Sequence, residues 1–326
     1  MRAFKVRAGG GLALTTDCPV PDPSAGEVLV KVRATSLNAR DRLIVSDSYS
    51  VDVRGRVPLS DGAGVVEAVG DGVSRFRVGD RVAGTFHPTW VYGPFPGWGA
   101  LRGTHRDGWL SDHVVLDQQS LVRIPDRLSF EEAATLPCAA LTAWSAVAGV
   151  GPGDTLLVQG SGGVSVFALQ FARLAGARVV ATTSDDDKAE RLRALGAADV
   201  VNYRETPRWG ARVRELTGGG AGRVLEIGGA GTLPQSVEAV AHGGQIALVG
   251  NLASGNDMDV THFFRRAATL RSISVGSRSD FEQMNEALGR SALRPVIDRV
   301  FPFDQASEAF AHFERGPRFG KVVIGH

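Results

Sequence analysis

The chain has 326 residues, more than one hydrophobic core usually supports, so we expect two domains of ordinary size. Its 36 Lys and Arg residues almost balance its 35 Asp and Glu residues without a long block of like charge, which argues against a nucleic-acid partner and favours a small-molecule one. No run approaches the ~18 apolar residues of a membrane span, so we expect a cytoplasmic protein with no membrane partner.

The first part of the chain, up to residue 124, consists of short β-like runs broken by Gly, Pro and Asp. Predicted strands lie at 28–32, 64–69, 80–82 and 112–115. The last part, 278–326, returns to short helical and β-like pieces and ends in the apolar run 321–324. We therefore assign 1–124 and 278–326 to one β-rich domain.

Between these parts, over residues 125–277, helices and strands alternate. A helix start near Ser129 is followed by six short apolar strands joined by helices, at 155–159, 178–182, 199–201, 223–227, 245–249 and 270–275. Strands of this kind form a parallel sheet with helices on both faces. The sequence thus predicts an α/β protein with a β-rich domain and a six-stranded, doubly wound domain.

The turn after the first strand of that sheet carries an almost complete GxGxxG pattern, with Ser165 in the third glycine's place. Gly160 permits the tight turn, and Gly162 lets the backbone approach a pyrophosphate. Gly163 leads into a helix predicted from about Val164 to Ala175, whose free N–H groups attract anions. A strand before the turn and a helix after it predict dinucleotide binding; the alternative is a glycine turn with no ligand.

The end of the second strand bears on the choice between NADPH and NADH. NAD sites usually carry an acidic side chain there, but Thr183 occupies the position in this chain. Ser184 and Lys188 can accept the 2′-phosphate of NADPH. The aspartates at 185–187 would repel a phosphate if they faced it, or would cap the next helix. We predict NADPH, with NADH as the alternative.

Several motifs occur together along the chain. They are GEVLV at 26–30, NARD at 38–41, GVVEAVG at 64–70, VGDRV at 78–82, AATLP at 133–137, LTAW at 141–144 and GKVVI at 320–324. With these motifs and the glycine turn, the chain resembles the medium-chain dehydrogenase/reductase superfamily over essentially its whole length. The resemblance is to the zinc-independent, quinone-oxidoreductase-like branch. It implies a GroES-like catalytic domain, a Rossmann domain, an active cleft between them, and a homodimer formed through the sheet edge at 270–275.

The resemblance also implies that zinc is absent. The three positions that hold the catalytic zinc in other members correspond here to Asn38, Ser60 and Cys138, of which only Cys138 is a usual ligand. With Cys18 as the second cysteine, the four-cysteine structural zinc site is also missing. An aromatic segment, 86–109, stands in its place. We expect no metal and interpret Cys138 as an inert core thiol.

The resemblance places Asn38 at the floor of the cleft, beside the nicotinamide or the substrate oxygen. Arg40 and Asp41 would orient it, or would form a structural ion pair. Asp61 would lie next to the lost zinc position and bond Arg40 or a water. The resemblance also implies cofactor contacts at Tyr203, at Thr142, for which packing within its helix is the alternative, and at Lys321, which reaches either the cofactor or a carboxylate of the cleft. Strand ends of the doubly wound sheet predict others at Gly228, Gly250, Asn251, Ser277 and Arg278.

Hydride transfer without a metal favours substrates that spread the incoming charge. The leading hypothesis is NADPH-dependent reduction of an activated C=C bond or a quinone. Aromatic residues at 86–109, with the stretch 49–58, suggest an apolar or planar carbonyl substrate, or a small core of the loop itself. Two alternatives stay open: a zinc-independent alcohol dehydrogenase or carbonyl reductase, and a cofactor-binding protein with little turnover.

Overall fold

The computed structural model describes residues 1–250 and 260–326. The chain divides into two compact units: the first is Met1–Leu141 together with Val275–His326, and the second is Thr142–Ser274. The boundaries expected from the sequence lie at 124/125 and 277/278, so the first unit includes some residues that we had assigned to the doubly wound domain. In the described ranges, no helix is long and apolar enough to cross a membrane.

Strands predominate in the first 141 residues, which contain β1 (Ala3–Val6), β2 (Leu12–Thr15), β3 (Glu27–Ser36), α1 (Ala39–Val45), β4 (Asp61–Val69), β5 (Arg81–Gly84), β6 (His113–Asp117), β7 (Leu121–Arg123) and α2 (Phe130–Ala133). Strands and helices then alternate: α3 (Leu141–Ala146), β8 (Thr155–Gln159), α4 (Gly163–Leu174), β9 (Arg178–Thr183), α5 (Asp186–Ala194), β10 (Asp199–Asn202), α6 (Trp209–Thr217), β11 (Ala221–Glu226), α7 (Leu233–Ala239), β12 (Val240–Leu248), α8 (Thr261–Arg266) and β13 (Thr269–Ser272). The chain ends with α9 (Arg278–Arg290), β14 (Ile297–Pro302), α10 (Ala306–Arg315) and β15 (Lys321–Gly325).

The main sheet of the first unit has the strand order β14-β15-β3-β4-β5-β7, with β6 also paired to β3. Strand β3 buries Val28, Val30 and Val32 on one face, the period-two pattern of a strand on a core. Strand β15 pairs with β3 in antiparallel register, which confirms that the last apolar run packs on the first domain.

Trp109 fills the centre of the first unit. Its side chain is fully buried, and its ring lies against the backbones of Gly62 in β4 and Gly84 in β5, where a Cβ on either glycine would overlap the indole. Because a side chain as large as this leaves no room for another, both strands need glycine at these positions. Of the two roles left open for the aromatic residues of 86–109, a substrate contact and a core, Trp109 has a core role, in the core of the sheet rather than of the loop alone.

The second unit contains the predicted six-stranded parallel sheet, in the order β10-β9-β8-β11-β12-β13. The fold class is therefore confirmed. The strand order reverses between β8 and β11, and this is where doubly wound sheets bind ligands. Strand β13 forms an edge, as predicted, but it ends at Ser272 rather than at residue 275. Val275 has φ +63°, a left-handed conformation that is incompatible with a strand.

Candidate active site

Asn38 lies where strand β3 gives way to helix α1. Its backbone is extended (φ −124°, ψ 163°), as an N-cap residue requires, and its N–H donates to Asp41 Oδ2 at 2.7 Å. Only 7% of its surface is exposed. The residue that the resemblance places beside the substrate is therefore held rigidly by the first turn of the helix.

The side chain of Asn38 contacts a buried lysine from the end of the chain. Lys321 Nζ donates to Asn38 Oδ1 at 2.7 Å and to the carbonyl oxygen of Leu37 at 2.6 Å. It also lies 3.9 Å from Asp61 Oδ2. Of the two roles expected for Lys321, a cofactor contact and a partner for a carboxylate, the structure supplies a carboxylate nearby.

Asp61 begins strand β4 and is completely buried. Its Oδ1 accepts a hydrogen bond from Ser60 Oγ at 2.9 Å, and its Oδ2 accepts one from the Cys138 N–H at 3.2 Å. Burial raises the pKa of Asp61, while the Lys321 ammonium opposes that rise. Three positions that the sequence analysis compared with zinc ligands, Asn38, Ser60 and Cys138, therefore meet around Asp61.

Asp41 is also completely buried. Burial raises its pKa to about 7; Arg40 lowers it, and Asp61 raises it further. Its Oδ2 accepts the Asn38 N–H, whereas Oδ1 has no hydrogen-bond partner among the described residues. The Asp41 side chain thus holds the backbone of Asn38, as predicted. Because its pKa is about 7, the carboxyl group is partly protonated near neutral pH.

Arg40 forms an ion pair with neither Asp41 nor Asp61 in the part of the chain that the structure describes. The ion-pair alternative for Arg40 and Asp41 and the Arg40 alternative for Asp61 were therefore wrong, while a bond from Asp61 to a water stays a prediction. Its guanidinium donates to the Arg102 carbonyl at 3.3 Å and to Thr104 Oγ1 at 3.4 Å, and it lies over the rings of Tyr49 and Phe86. Arg40 thus joins helix α1 to the segment 86–109.

These side chains do not fit a catalytic zinc ion. Zinc binds thiolates, imidazoles and carboxylates, but two of the three corresponding positions carry the amide of Asn38 and the hydroxyl of Ser60. Burial, and then the Asp61 carboxylate, raises the pKa of the Cys138 thiol, which opposes formation of a thiolate. In residues 1–250 and 260–326, no group of three or more His, Cys, Asp or Glu side chains is arranged to hold a metal.

The glycine turn of the second unit fits a dinucleotide. Gly160 adopts φ +70°, and a Cβ on Gly160 or Gly162 would meet no protein atom within 4 Å, so the backbone is open to a ligand. Ser165 Oγ donates to the Gln159 carbonyl at 2.6 Å and holds helix α4 on strand β8. The first N–H groups of α4, including those of Gly163 and Val164, have no partner within the helix and attract a pyrophosphate.

A buried carboxylate beneath this turn was missed in the sequence analysis. Glu226, at the end of β11, accepts hydrogen bonds from Gln159 Nε2 at 2.8 Å, the Gly229 N–H at 2.8 Å, and the hydroxyls of Thr232 and Ser236. Gln159 Oε1 in turn accepts the Ile227 N–H at 3.1 Å. This network joins the ends of β8 and β11 at the reversal of strand order. A glutamate at a strand end, separated by one residue from Gly228 and Gly229, was the available signal.

Two of the three aspartates after β9 accept hydrogen bonds from other groups of the protein. Asp185 caps helix α5 and accepts the backbone N–H of Lys188 at 3.0 Å, and Asp186 accepts a hydrogen bond from Asn202 Nδ2 at 3.0 Å. Helix capping, one of the two roles predicted for this run, is confirmed for Asp185. Ser184 and Lys188 are partly exposed beside them.

The remaining predicted cofactor residues belong to both units, and three of them follow parallel strands at the sheet edge that carries the glycine turn. Thr142 is buried on α3, Tyr203 is 41% exposed after β10, and Gly228 and Gly250 follow β11 and β12. Asn251 lies outside the described residues. Ser277 and Arg278 belong to the first unit, where Ser277 caps α9 and Arg278 bonds Gln119.

The segment 86–109 packs on itself. The ring of His87 contacts Phe86, Trp90, Phe95 and Trp98, with ring centroids 5.0 to 5.7 Å apart. Trp98 still exposes 69% of its surface. Of the two interpretations of these aromatics, the small core of the loop is present, while a substrate contact by the exposed rings stays a prediction.

Two family models match the chain. The model of the alcohol dehydrogenase GroES-like domain matches residues 24–126, and the model named zinc-binding dehydrogenase matches residues 163–290. A zinc-type alcohol dehydrogenase-like protein of Schizosaccharomyces pombe is 44% identical over 92% of this chain and 90% of its own length. Human quinone oxidoreductase is 28% identical over 99% of this chain and 97% of its own length.

Solved structures show the same architecture. A putative alcohol dehydrogenase from Sinorhizobium meliloti 1021 is 41% identical, with a TM-score of 0.93 over 100% of this chain and 98% of the other. A mycobacterial protein complexed with NADPH is 28% identical, with a TM-score of 0.84 over 100% of both chains.

Proposed function

Because the chain belongs to the medium-chain dehydrogenase/reductase superfamily of oxidoreductases, we propose that it transfers hydride from NADPH to an activated C=C bond or a quinone, without a catalytic zinc. The observation that carries this proposal is the cluster of Asn38, Ser60 and Asp61, which offers a hydrogen-bond donor where a Lewis acid would otherwise stand. Ser60 gives its proton to Asp61, so the donor is Asn38 Nδ2.

This donor suits a conjugated acceptor. The bound dinucleotide supplies a hydride, which is two electrons and one proton. Uptake of the hydride at the β-carbon of an enone shifts charge to the carbonyl oxygen, which the Asn38 N–H₂ group stabilises. A proton from water completes the saturated product, and the same count converts a quinone to a hydroquinone. A saturated ketone concentrates the charge as an alkoxide and needs a stronger acid.

NADPH is the proposed cofactor because partly exposed Ser184 and Lys188 remain at the end of β9, next to an uncharged Thr183. Of the three aspartates that would repel a 2′-phosphate, Asp185 and Asp186 have hydrogen bonds to Lys188 N and Asn202, whereas Asp187 is exposed. Comparison of the Kd for NADPH and NADH, in wild type and in Lys188→Ala, tests this choice. Equal affinity of the wild type for both cofactors would refute it.

We also propose a homodimer. Edge strand β13 exposes all four of its residues, among them Leu270 at 43%. An exposed edge with an apolar side chain is a template for pairing with a second strand. A second copy of this chain is the proposed partner. In a twofold-symmetric dimer, β13 of each copy would pair with β13 of the other, so that one contact covers both edges.

The function is tested with metal-stripped enzyme, NADPH and a matched set of a quinone, an enone and a saturated ketone, with identification of the products. Turnover of the conjugated acceptors alone supports the proposal. Reduction of the ketone would instead favour a zinc-independent alcohol dehydrogenase or carbonyl reductase, which is the second candidate because several relatives are named alcohol dehydrogenases. Binding of NADPH without any turnover would overturn both.

Asn38→Ala tests the donor. We expect kcat to fall by a factor of about 10²–10³, with an unchanged Kd for NADPH, because one stabilising hydrogen bond to the developing oxyanion is lost. Ser60→Ala is the matched control: its proton already points to Asp61, so we expect a loss below about tenfold. Unchanged turnover in Asn38→Ala would remove Asn38 from the mechanism.

A further inference from the structure

Lys321 is a buried cation whose role the proposed reaction leaves open. Only 3% of its surface is exposed. Burial of an ammonium group is unfavourable unless hydrogen bonds and an opposite charge compensate for it. Lys321 has both, since Nζ bonds Leu37 O and Asn38 Oδ1 and lies near Asp61.

The pairing of two strands brings Lys321 to Asn38. Strand β15 pairs with β3 so that Val323 lies opposite Ser36 and Ile324 opposite Thr35. Continued by two residues, this antiparallel register sets Lys321 opposite Asn38. The Leu37 N–H bonds the Val322 carbonyl at 3.0 Å, which extends the ladder in the same register. The contact therefore depends on the sheet rather than on a flexible loop.

An ammonium group only donates hydrogen bonds, whereas an amide has one accepting end and one donating end. Lys321 Nζ therefore selects Asn38 Oδ1, and the amide must turn Nδ2 the other way. Nδ2 is 3.5 Å from Ser60 Oγ, at the outer limit of a hydrogen bond, and the Asn38 side chain also hydrogen-bonds Asp61. Because Nδ2 carries two hydrogens, the bond to Asp61 leaves one N–H for a ligand. With the amide reversed, an oxygen would face the developing negative charge and repel it.

We propose that Lys321 is a positioning residue: it fixes the amide of Asn38 so that the Nδ2 group, and not the oxygen, faces the substrate oxygen. This inference rests on the proposed function, because it assigns a cause to the orientation of the donor used there. Lys321 itself acts through Asn38.

A double-mutant cycle tests the coupling of the two residues. In Lys321→Met we expect kcat to fall by a factor of about 10²–10³, as in Asn38→Ala, with the acceptor KM and the Kd for NADPH changed less than about threefold. The double variant should be no more than about threefold slower than Asn38→Ala, because residues that act as a unit are not additive. Lys321→Arg, which keeps the donor, should recover most of the loss.

The result that overturns the proposal is additivity: a double variant whose loss is the product of the two single losses. Lys31→Met, at an exposed lysine of β3, is the matched control and should leave kcat unchanged. If Lys321→Met does not fold, the variant Lys321→Met/Asp61→Asn, which removes both charges of the buried ion pair, replaces it. The cycle then compares this variant with and without Asn38→Ala.

A second measurement needs no turnover and so separates this inference from the proposed function. With ¹⁵N-labelled asparagine, the side-chain NH₂ signals of Asn38, assigned by their loss in Asn38→Ala, report the amide directly. We expect Lys321→Met to shift these signals and to speed their exchange with water, while Lys31→Met leaves them in place. Identical signals in wild type and Lys321→Met would refute the positioning role, even if conjugated acceptors are turned over. Lack of turnover with the expected shift would refute the proposed function alone.

Discussion

Replacement of Asp41 by asparagine is expected to stabilise the protein more at pH 8 than at pH 5. Burial raises the pKa of Asp41 from 3.8 to about 7, with Arg40 acting against the rise and Asp61 adding to it. Between these two values the folded protein holds a proton that the unfolded chain has released. The free energy of unfolding of the wild type therefore falls as the pH rises through this window, and the loss persists above it.

The magnitude follows from the size of the shift. About 3 pKa units at 1.36 kcal/mol each give a total of roughly 4 kcal/mol, of which about 3 kcal/mol develops between pH 5 and pH 8. Asparagine carries no charge and keeps an oxygen to accept the Asn38 N–H, so the variant lacks this pH-dependent loss. The difference in unfolding free energy between variant and wild type should therefore grow by about 3 kcal/mol over that range.

The assay is urea unfolding at pH 5, 6, 7 and 8 at constant ionic strength, followed by tryptophan fluorescence, since buried Trp109 lies in the same unit as Asp41. Asp71→Asn, at an exposed aspartate, is the matched control and should show no such trend. A difference between Asp41→Asn and wild type that does not change with pH would refute the reasoning, because it would mean that Asp41 is ionised in the folded protein throughout.

Three further predictions concern the second unit. Gly162→Val should weaken NADPH binding at least about tenfold in a fluorescence titration, because the new side chain covers the backbone that a pyrophosphate approaches. The protein should still fold, since a Cβ at this position meets no protein atom. Unchanged affinity would mean that the cofactor binds elsewhere. Glu226→Gln should lower the free energy of unfolding by roughly 3 kcal/mol in urea titrations, because an NH₂ group would then face buried donors; a neutral effect would argue against the network. Leu270→Lys should convert a dimer to a monomer in sedimentation, and a monomeric wild type at micromolar concentration would refute the homodimer.

Periodicity predicted the second unit well. The strand predicted at 155–159 has the bounds of β8, and the strands predicted at 178–182 and 199–201 end one residue before β9 and β10. Parallel strands that are buried on both faces leave long apolar runs between glycine turns, so their positions can be read locally. Strand β13 ends at Ser272, before the predicted end at 275, and the left-handed conformation of Val275 is a feature that apolar character does not reveal.

The candidate site was predicted in its parts rather than in its arrangement. Asn38 and Lys321 were both named, but their contact joins residues 283 positions apart and depends on the pairing of β15 with β3. The pairing of Arg40 with Asp41 could have been excluded at once, because adjacent residues of a helix point in different directions. Glu226 was missed although its place at a strand end before two glycines was visible, because the sequence does not show that Gln159, Thr232 and Ser236 surround it.

The position of Trp109 between Gly62 and Gly84 has a consequence for how this sequence can change over time. Trp109 closes off larger side chains at both glycines, so a first step at either glycine toward alanine meets the indole ring. Exchange of the tryptophan for a smaller side chain would release both glycines together, at the cost of a cavity. Homologues are therefore expected to vary at these three positions as a set, with bulk at 62 or 84 appearing only where 109 is small.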